Sequence, residues 1–211
     1  MNQVVNEIQS YVKQKLEMEG SGHDWYHIER VVKQARRIAK EENANLFICE
    51  VAALVHDLAD DKVASSEEAG LEEVEQLLFP LHKADRDHIL EIITTMSFKG
   101  GNRPPVRTLE AQVVQDADRL DAIGAIGIAR TFVYAGSKGD LIYDPSIQPR
   151  QQMTSSAYRH EQSTAINHFY EKLLKLKDLM NTSTGLEIAE ERHAFLTSFL
   201  TQFHGEWEGS K

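Results

Sequence analysis

The chain has 211 residues, of which 41% are hydrophobic and 27% charged, and its net charge is −10. That length suits one domain with a sizeable core, and the acidic balance argues against a nucleic-acid-binding surface, which ordinarily presents a basic patch. No apolar run is long enough to span a bilayer, and the single cysteine, Cys49, excludes an intrachain disulfide, so a protein of the reducing cytoplasm is expected.

Helical periodicity runs through nearly the whole chain, with no convincing alternating strand, so the expected class is all-α. The opening "MNQVVNEIQSYVKQK" lacks the layout of a signal peptide. It reads as an amphipathic helix over about 2–19, with Val5, Ile8, Val12 and Leu16 on one side. After "GSGHD", Asp24 is a candidate N-cap for a second helix through Glu42, and a third is expected from Asn45 to Ala59. Ser65 and Glu68 have capping-box spacing and should open a fourth that ends near Pro80. Asp85 should start a fifth, which stops before "KGGNRPP"; a sixth and seventh lie in about 108–135, separated near Gly124. Residues 136–155 form the longest irregular stretch, a candidate lid or pocket wall. Two long helices are expected to follow, 156–181 and 184–206, the second opened by a Thr184/Glu187 capping box. The organisation is thus one domain over 1–211: a motif-bearing part of about 20–135, the loop, and C-terminal helices over 156–208.

Chemistry concentrates in "LVHDLADD", Leu54 to Asp61, where an almost wholly apolar helix should be ending. On a wheel of about 100° per residue, Phe47, Val51, Leu54 and Leu58 form one stripe, while Cys49, Ala52 and Ala53 cover the opposite side. His56 and Asp57 therefore fall in a buried setting, where a carboxylate must be paired, protonated or bound to a metal. A plain His-Asp hydrogen bond, or an ion pair with a distant arginine, would satisfy the dipeptide alone. Two other helices add to it. His27, in "GHDWYHIERVV", lies at the edge of the stripe of Ile28, Val31, Ala35 and Ile38. Asp118, in "VVQDADRLDAIGAIG", shares a face with Ala111, Val114, Ala122 and Ala125, small neighbours that let another helix approach closely. Two histidines and two aspartates make a mixed nitrogen and oxygen set, suited to Mn²⁺, Fe²⁺, Co²⁺, Ni²⁺ or Mg²⁺ rather than to structural zinc.

His27, His56-Asp57 and Asp118 resemble the H…HD…D signature of the HD-domain metal-dependent phosphohydrolases, and "ADRLDA" and "HDWYHIERV" are similar to that family's fourth-ligand and first-ligand helices. The motif spans about 23–121, and "INHFYEKLLKL" and "ERHAFLTSFLTQFHGEW" resemble the C-terminal helices of small bacterial members. The resemblance implies an HD-type helical bundle that holds one divalent ion, Mn²⁺ foremost, in His27, His56, Asp57 and Asp118. It implies hydrolysis at phosphorus by metal-activated water, on a phosphorylated small molecule. A nucleoside or deoxynucleoside triphosphate, cleaved to monophosphate and pyrophosphate, is the first candidate. A nucleoside monophosphatase, a cyclic-nucleotide phosphodiesterase and a nucleotide-sensing module without turnover are the alternatives.

The same resemblance makes Asp60, three residues after Asp57, a proton-transfer or water-positioning group; many members carry Glu there, and the Asp is shorter. Asp61, four residues after Asp57, is a second candidate, although both could be a solvated helix end. Phosphate-binding candidates are Lys62, Arg30, Arg119 and Lys99 in "SFKGGN", with His23 set either against substrate or at the helix start. Trp25 and Tyr26 read as packing residues. A second metal would need His82 and His88, whose context is that of a helix junction, and His160, His168, His193 and His204 read as surface or structural. Neither a membrane nor a nucleic acid is expected as a partner, and the oligomeric state is open.

Overall fold

The computed structural model describes residues 2–17, 23–60, 63–96, 105–150 and 163–211, and these are helical almost throughout. The chain divides into two compact units, 1–118 and 119–211. The first contains α1 (Asn2–Leu16), α2 (Trp25–Glu41), α3 (Leu46–Val55), α4 (Glu67–Leu78), α5 (Lys83–Thr95) and most of α6 (Leu109–Asp121). Helix α3 is its centre, because every residue from Val51 to Val55 is buried, as are Ile48 and Cys49. Helices α1, α2 and α5 pack around it. Val5, Ile8, Val12 and Leu16 of α1 are all in the core, as the stripe predicts. Burial pushes the Cys49 thiol up to about 12, with the Glu110 carboxylate adding to the effect, so this cysteine is an inert apolar side chain.

The helix starts show which signals were local. Asp24 caps α2 by accepting from His27 N, and Asn45 caps α3 by accepting from Phe47 N and Ile48 N. Helix α4 is capped by Ser66, which accepts from Ala69 N; the box expected at Ser65 is one residue out. Helix α5 begins at Lys83 behind His82, so Asp85 belongs to its first turn. Helix α3 stops at Val55 instead of Ala59, and residues 56–59 form a turn. Helix α1 ends at Leu16.

Glycine 70 decides how closely α4 approaches that turn. A Cβ built there would lie 2.6 Å from both Ala59 Cα and Leu58 O. The two backbones touch at a distance that any side chain would prevent.

The second unit holds α7 (Gly124–Lys138), α8 (Ala165–Glu171), 3₁₀ turns at Leu173–Lys175 and Lys177–Leu179, and α9 (Ser183–Trp207). Gly124 opens α7 with φ +76°, a backbone angle that explains the break expected there. Helix α7 packs on α8 and α9, and Phe132, Phe169 and Phe199 interlock with ring centroids 5.5–6.2 Å apart. The long helix expected over 156–181 is instead α8 followed by the two 3₁₀ turns, and residues 151–162 lie outside the described ones. Thr182, not Thr184, caps α9, accepting from Gly185 N.

Residues 139–150 are pinned to the start of α8. Ala165 N donates to Leu141 O, Ile166 N to Ile142 O, and Asn167 Nδ2 to Ile147 O. Arg150 then closes a two-pronged ion pair on the buried Glu171, with Nε–Oε1 3.0 Å and Nη2–Oε2 2.7 Å. Among the described residues, no helix is long and apolar enough to cross a membrane.

Candidate metal centre

Three elements of the first unit bring the site together. The Asp24 cap fixes the first turn of α2 and with it His27, whose side chain is 1% exposed. The α3 helix ends immediately before His56, and Leu58 N bonds back to Val55 O and Asp60 N to Asp57 O, so tight three-residue turns replace the last helical turn. This puts His56 and Asp57 at a helix end and not on a continuing face. Asp118 comes from the last turns of α6, which is tied to α3 by the bond from Asn45 N to Glu110 and to the end of α5 by the bond from Gln115 to Met96 O.

The four side chains converge. His27 Nε2 lies 3.3 Å from Asp57 Oδ2 and 3.5 Å from Asp118 Oδ1; His56 Nε2 lies 3.3 Å from Asp57 Oδ1 and 3.8 Å from Asp118 Oδ1. Two neighbouring donors on one ion, each bonded at about 2.0–2.2 Å, stand about 3–3.6 Å apart, so the three shorter separations fit a shared cation and the fourth, at 3.8 Å, is slightly wider. His56 donates Nδ1–H to Ala53 O at 2.9 Å, which leaves the lone pair on Nε2. That Nε2 is buried and, among the described residues, has no hydrogen-bond partner. A buried imidazole nitrogen in this state is costly unless something electron-poor faces it, and an outer hydrogen bond on the opposite nitrogen is the usual support of a metal-ligating histidine. His27, His56 and Asp118 form one group with the spacing to hold a metal ion, and His23, His27 and Asp57 form another.

Burial alone would push the Asp57 carboxyl up, but the positive charges that His56 and His23 carry once acid protonates them, with hydrogen bonds from His23 and His27, outweigh it, so Asp57 titrates well below the usual range and stays an anion when the imidazoles are neutral. The Asp118 side chain is 41% exposed and gives the cluster its wet side.

The remaining candidates are distributed unevenly. His23 Nδ1 sits 2.7 Å from Asp57 Oδ2, inside the cluster. Asp60 is half-buried at the end of the turn, and Arg30 is half-buried one helical turn beyond His27. Arg119 follows Asp118 in sequence, but its guanidinium donates to Leu179 O within the second unit. Asp61, Lys62 and Lys99 lie outside the described residues. Trp25 is packed as expected, whereas Tyr26 is 64% exposed, since it falls on the outer face of α2. Among the described residues neither His82 nor His88 joins a metal-competent group; His88 bonds Thr108 Oγ1. The involvement of His23 with Asp57 was missed because it links positions thirty-four residues apart.

A model of the HD domain matches residues 24–123. Protein YpgQ of Bacillus subtilis is 43% identical over 207 residues, covering 96% of this chain and 93% of the relative. The crystal structure of that YpgQ in complex with ADP superposes with a TM-score of 0.78, at 43% identity and covering 96% of this chain and 97% of that one. A Bacillus thuringiensis HD-superfamily hydrolase gives 0.78 at 46% identity, with 98% of each chain covered. A Lactobacillus plantarum protein gives 0.88 at 45%, with 99% of each covered. The chain therefore belongs to the HD-domain superfamily and is a metal-dependent hydrolase.

Proposed function

We propose that the protein is a cytoplasmic nucleotide phosphohydrolase, and specifically a pyrophosphohydrolase that cleaves nucleoside or deoxynucleoside triphosphates to the monophosphate and pyrophosphate. The observation that carries the reading is the convergence of His27, His56, Asp57 and Asp118 around the buried, unbonded Nε2 of His56. These four side chains would hold one divalent ion. Their mixed nitrogen and oxygen character favours Mn²⁺, with Mg²⁺, Fe²⁺, Co²⁺ or Ni²⁺ able to substitute. When bound, such an ion supplies an acidified water and offsets phosphoryl charge. It also answers the chain's net charge of −10, which would otherwise repel an anionic substrate. The ADP bound to Bacillus subtilis YpgQ supports a nucleotide as the ligand class.

The protein's own residues then have distinct tasks. Asp118, with 41% of its side chain exposed, marks the side from which an anionic substrate arrives. Asp60, locked three residues after Asp57 by its backbone bond to Asp57 O, takes the proton of the water that attacks phosphorus. Arg30 binds the phosphates, and Lys62 and Lys99 are the further cations that the sequence offers for them. Asp61 is the alternative proton acceptor.

A substrate panel tests the reading: nucleoside tri-, di- and monophosphates and cyclic nucleotides, each with Mn²⁺, Mg²⁺, Co²⁺ and Ni²⁺. The expected products are monophosphate and pyrophosphate in equal amounts from triphosphates. Orthophosphate as the first product would point to a phosphatase instead. Opening of a cyclic nucleotide would point to a phosphodiesterase, and tight nucleotide binding without turnover in any metal would point to a sensing module.

A further inference from the structure

The two oxygens of Asp57 are engaged differently. Oδ1 faces the lone pair of His56 Nε2 at 3.3 Å, while Oδ2 lies 2.7 Å from His23 Nδ1 and 3.3 Å from His27 Nε2. The 2.7 Å separation is a charge-assisted hydrogen bond. It is shorter than the about 3 Å that two donors bonded to one ion can reach, so His23 Nδ1 and Asp57 Oδ2 are not both ligands in this arrangement. His23 is also well anchored. Asp24, its neighbour, caps α2 through His27 N at 2.7 Å, and the His23 and His27 rings meet edge to face at 5.9 Å and 86°. The His23 side chain is 16% exposed, sheltered enough for its bond to resist competition from water.

We infer that His23 is a positioning residue of the metal centre: its Nδ1–H holds Asp57 Oδ2 and so presents Oδ1 to the ion beside His56. A carboxylate at a helix end has a soft terminal torsion and two equivalent oxygens. The His23 bond breaks that equivalence and selects binding through one oxygen. It does for Asp57 what the Ala53 carbonyl does for His56, orienting a ligand from behind.

This inference rests on the metal reading of the site, and Mn²⁺ titration by calorimetry separates the two. The proteins are the wild type, His23→Ala, His23→Asn and His23→Gln. Asn places an N–H near the position of imidazole Nδ1, and Gln places one near Nε2. Without metal, His23→Ala should melt below wild type through loss of the bond to Asp57, and all four should be folded at the titration temperature. His23→Ala should bind Mn²⁺ about 10–100-fold more weakly. His23→Asn should recover most of that loss and His23→Gln little of it. Wild-type affinity in His23→Ala overturns the inference and leaves the metal reading standing, as does recovery by Gln with none by Asn. A wild type that takes up no Mn²⁺ overturns both.

Discussion

Asp57 in the first unit and Glu171 in the second are the two most instructive carboxylates in the molecule, because burial hardly distinguishes them. Their side chains are 8% and 1% exposed, and both titrate below the usual carboxylate range. Their surroundings differ in kind. Glu171 receives two guanidinium bonds from Arg150, a third from the Arg150 backbone and a fourth from Ser163 Oγ at 3.2 Å. Both oxygens have donors, and the pair staples residues 139–150 to α8. Asp57 is instead ringed by three imidazoles, and the nitrogen that His56 turns toward it is a lone pair, not a donor. A buried acid whose neighbours satisfy it is architecture; one whose neighbours share its need for a cation is a site.

Removing each carboxylate should separate the two roles. Asp57→Ala should abolish Mn²⁺ binding and lower turnover by more than the about 10–100-fold that loss of an outer partner costs, with the helical circular dichroism retained. Glu171→Ala removes the carboxylate from three Arg150 bonds and should cost about 3–5 kcal/mol in urea unfolding. The acid limb adds a sign. Burial pushes the Glu171 carboxyl up from its ordinary 4.5, but the Arg150 bonds and charge outweigh this, so the folded value is lower. Its contribution is therefore complete above about pH 4.5 and is lost as the pH falls through the lower folded value. Glu171→Gln should flatten that part of the stability curve. An unchanged acid limb, or Asp57→Ala that still binds Mn²⁺, would erase the contrast.

The difference between these acids also explains what could be read from sequence. His27, His56, Asp57 and Asp118 were legible because each interrupts an apolar helical face, and an ionisable group there demands a partner. The Asp24 cap was legible because capping acts within three residues. Glu171 gave no such signal: Arg150 stands twenty-one residues away, inside the stretch read as irregular, and the helical text of 156–181 conceals the break after Glu171. The end of α3 at Val55 was also hidden, since Leu58 is apolar and fully buried whether or not the helix continues. Periodicity identifies a buried face without saying where the backbone leaves it.

A smaller perturbation probes whether Asp57 needs its turn as much as its charge. Gly70→Ala would place a methyl 2.6 Å from Leu58 O and Ala59 Cα, backbone atoms that flank the segment after Asp57. Overpacking of this kind costs about 1–3 kcal/mol. If the turn sets the ligand geometry, Mn²⁺ affinity should fall together with stability although every ligand is intact. A variant that loses stability and keeps wild-type affinity would show that the cluster tolerates movement of the turn.

The smallest expected effect concerns the cap of α4, the helix that brings Gly70 to the turn. Ser66 Oγ accepts from Ala69 N at 3.1 Å, and Ser65 is an exposed neighbour with no such bond among the described ones. Ser66→Ala should cost about 1 kcal/mol, and Ser65→Ala much less. The two differ by one position in sequence, so composition and exposure are nearly matched and the difference isolates the cap. Because loss of the Ser66 hydroxyl leaves the backbone bond from Gly70 N to Ser66 O in place, Mn²⁺ affinity should stay near wild type in both. Equal costs for the two serines would place the helix start at Ser65. A drop in affinity with Ser66→Ala would mean that the start of α4 governs the turn that carries Asp57, extending the site's support one element further than its direct contacts.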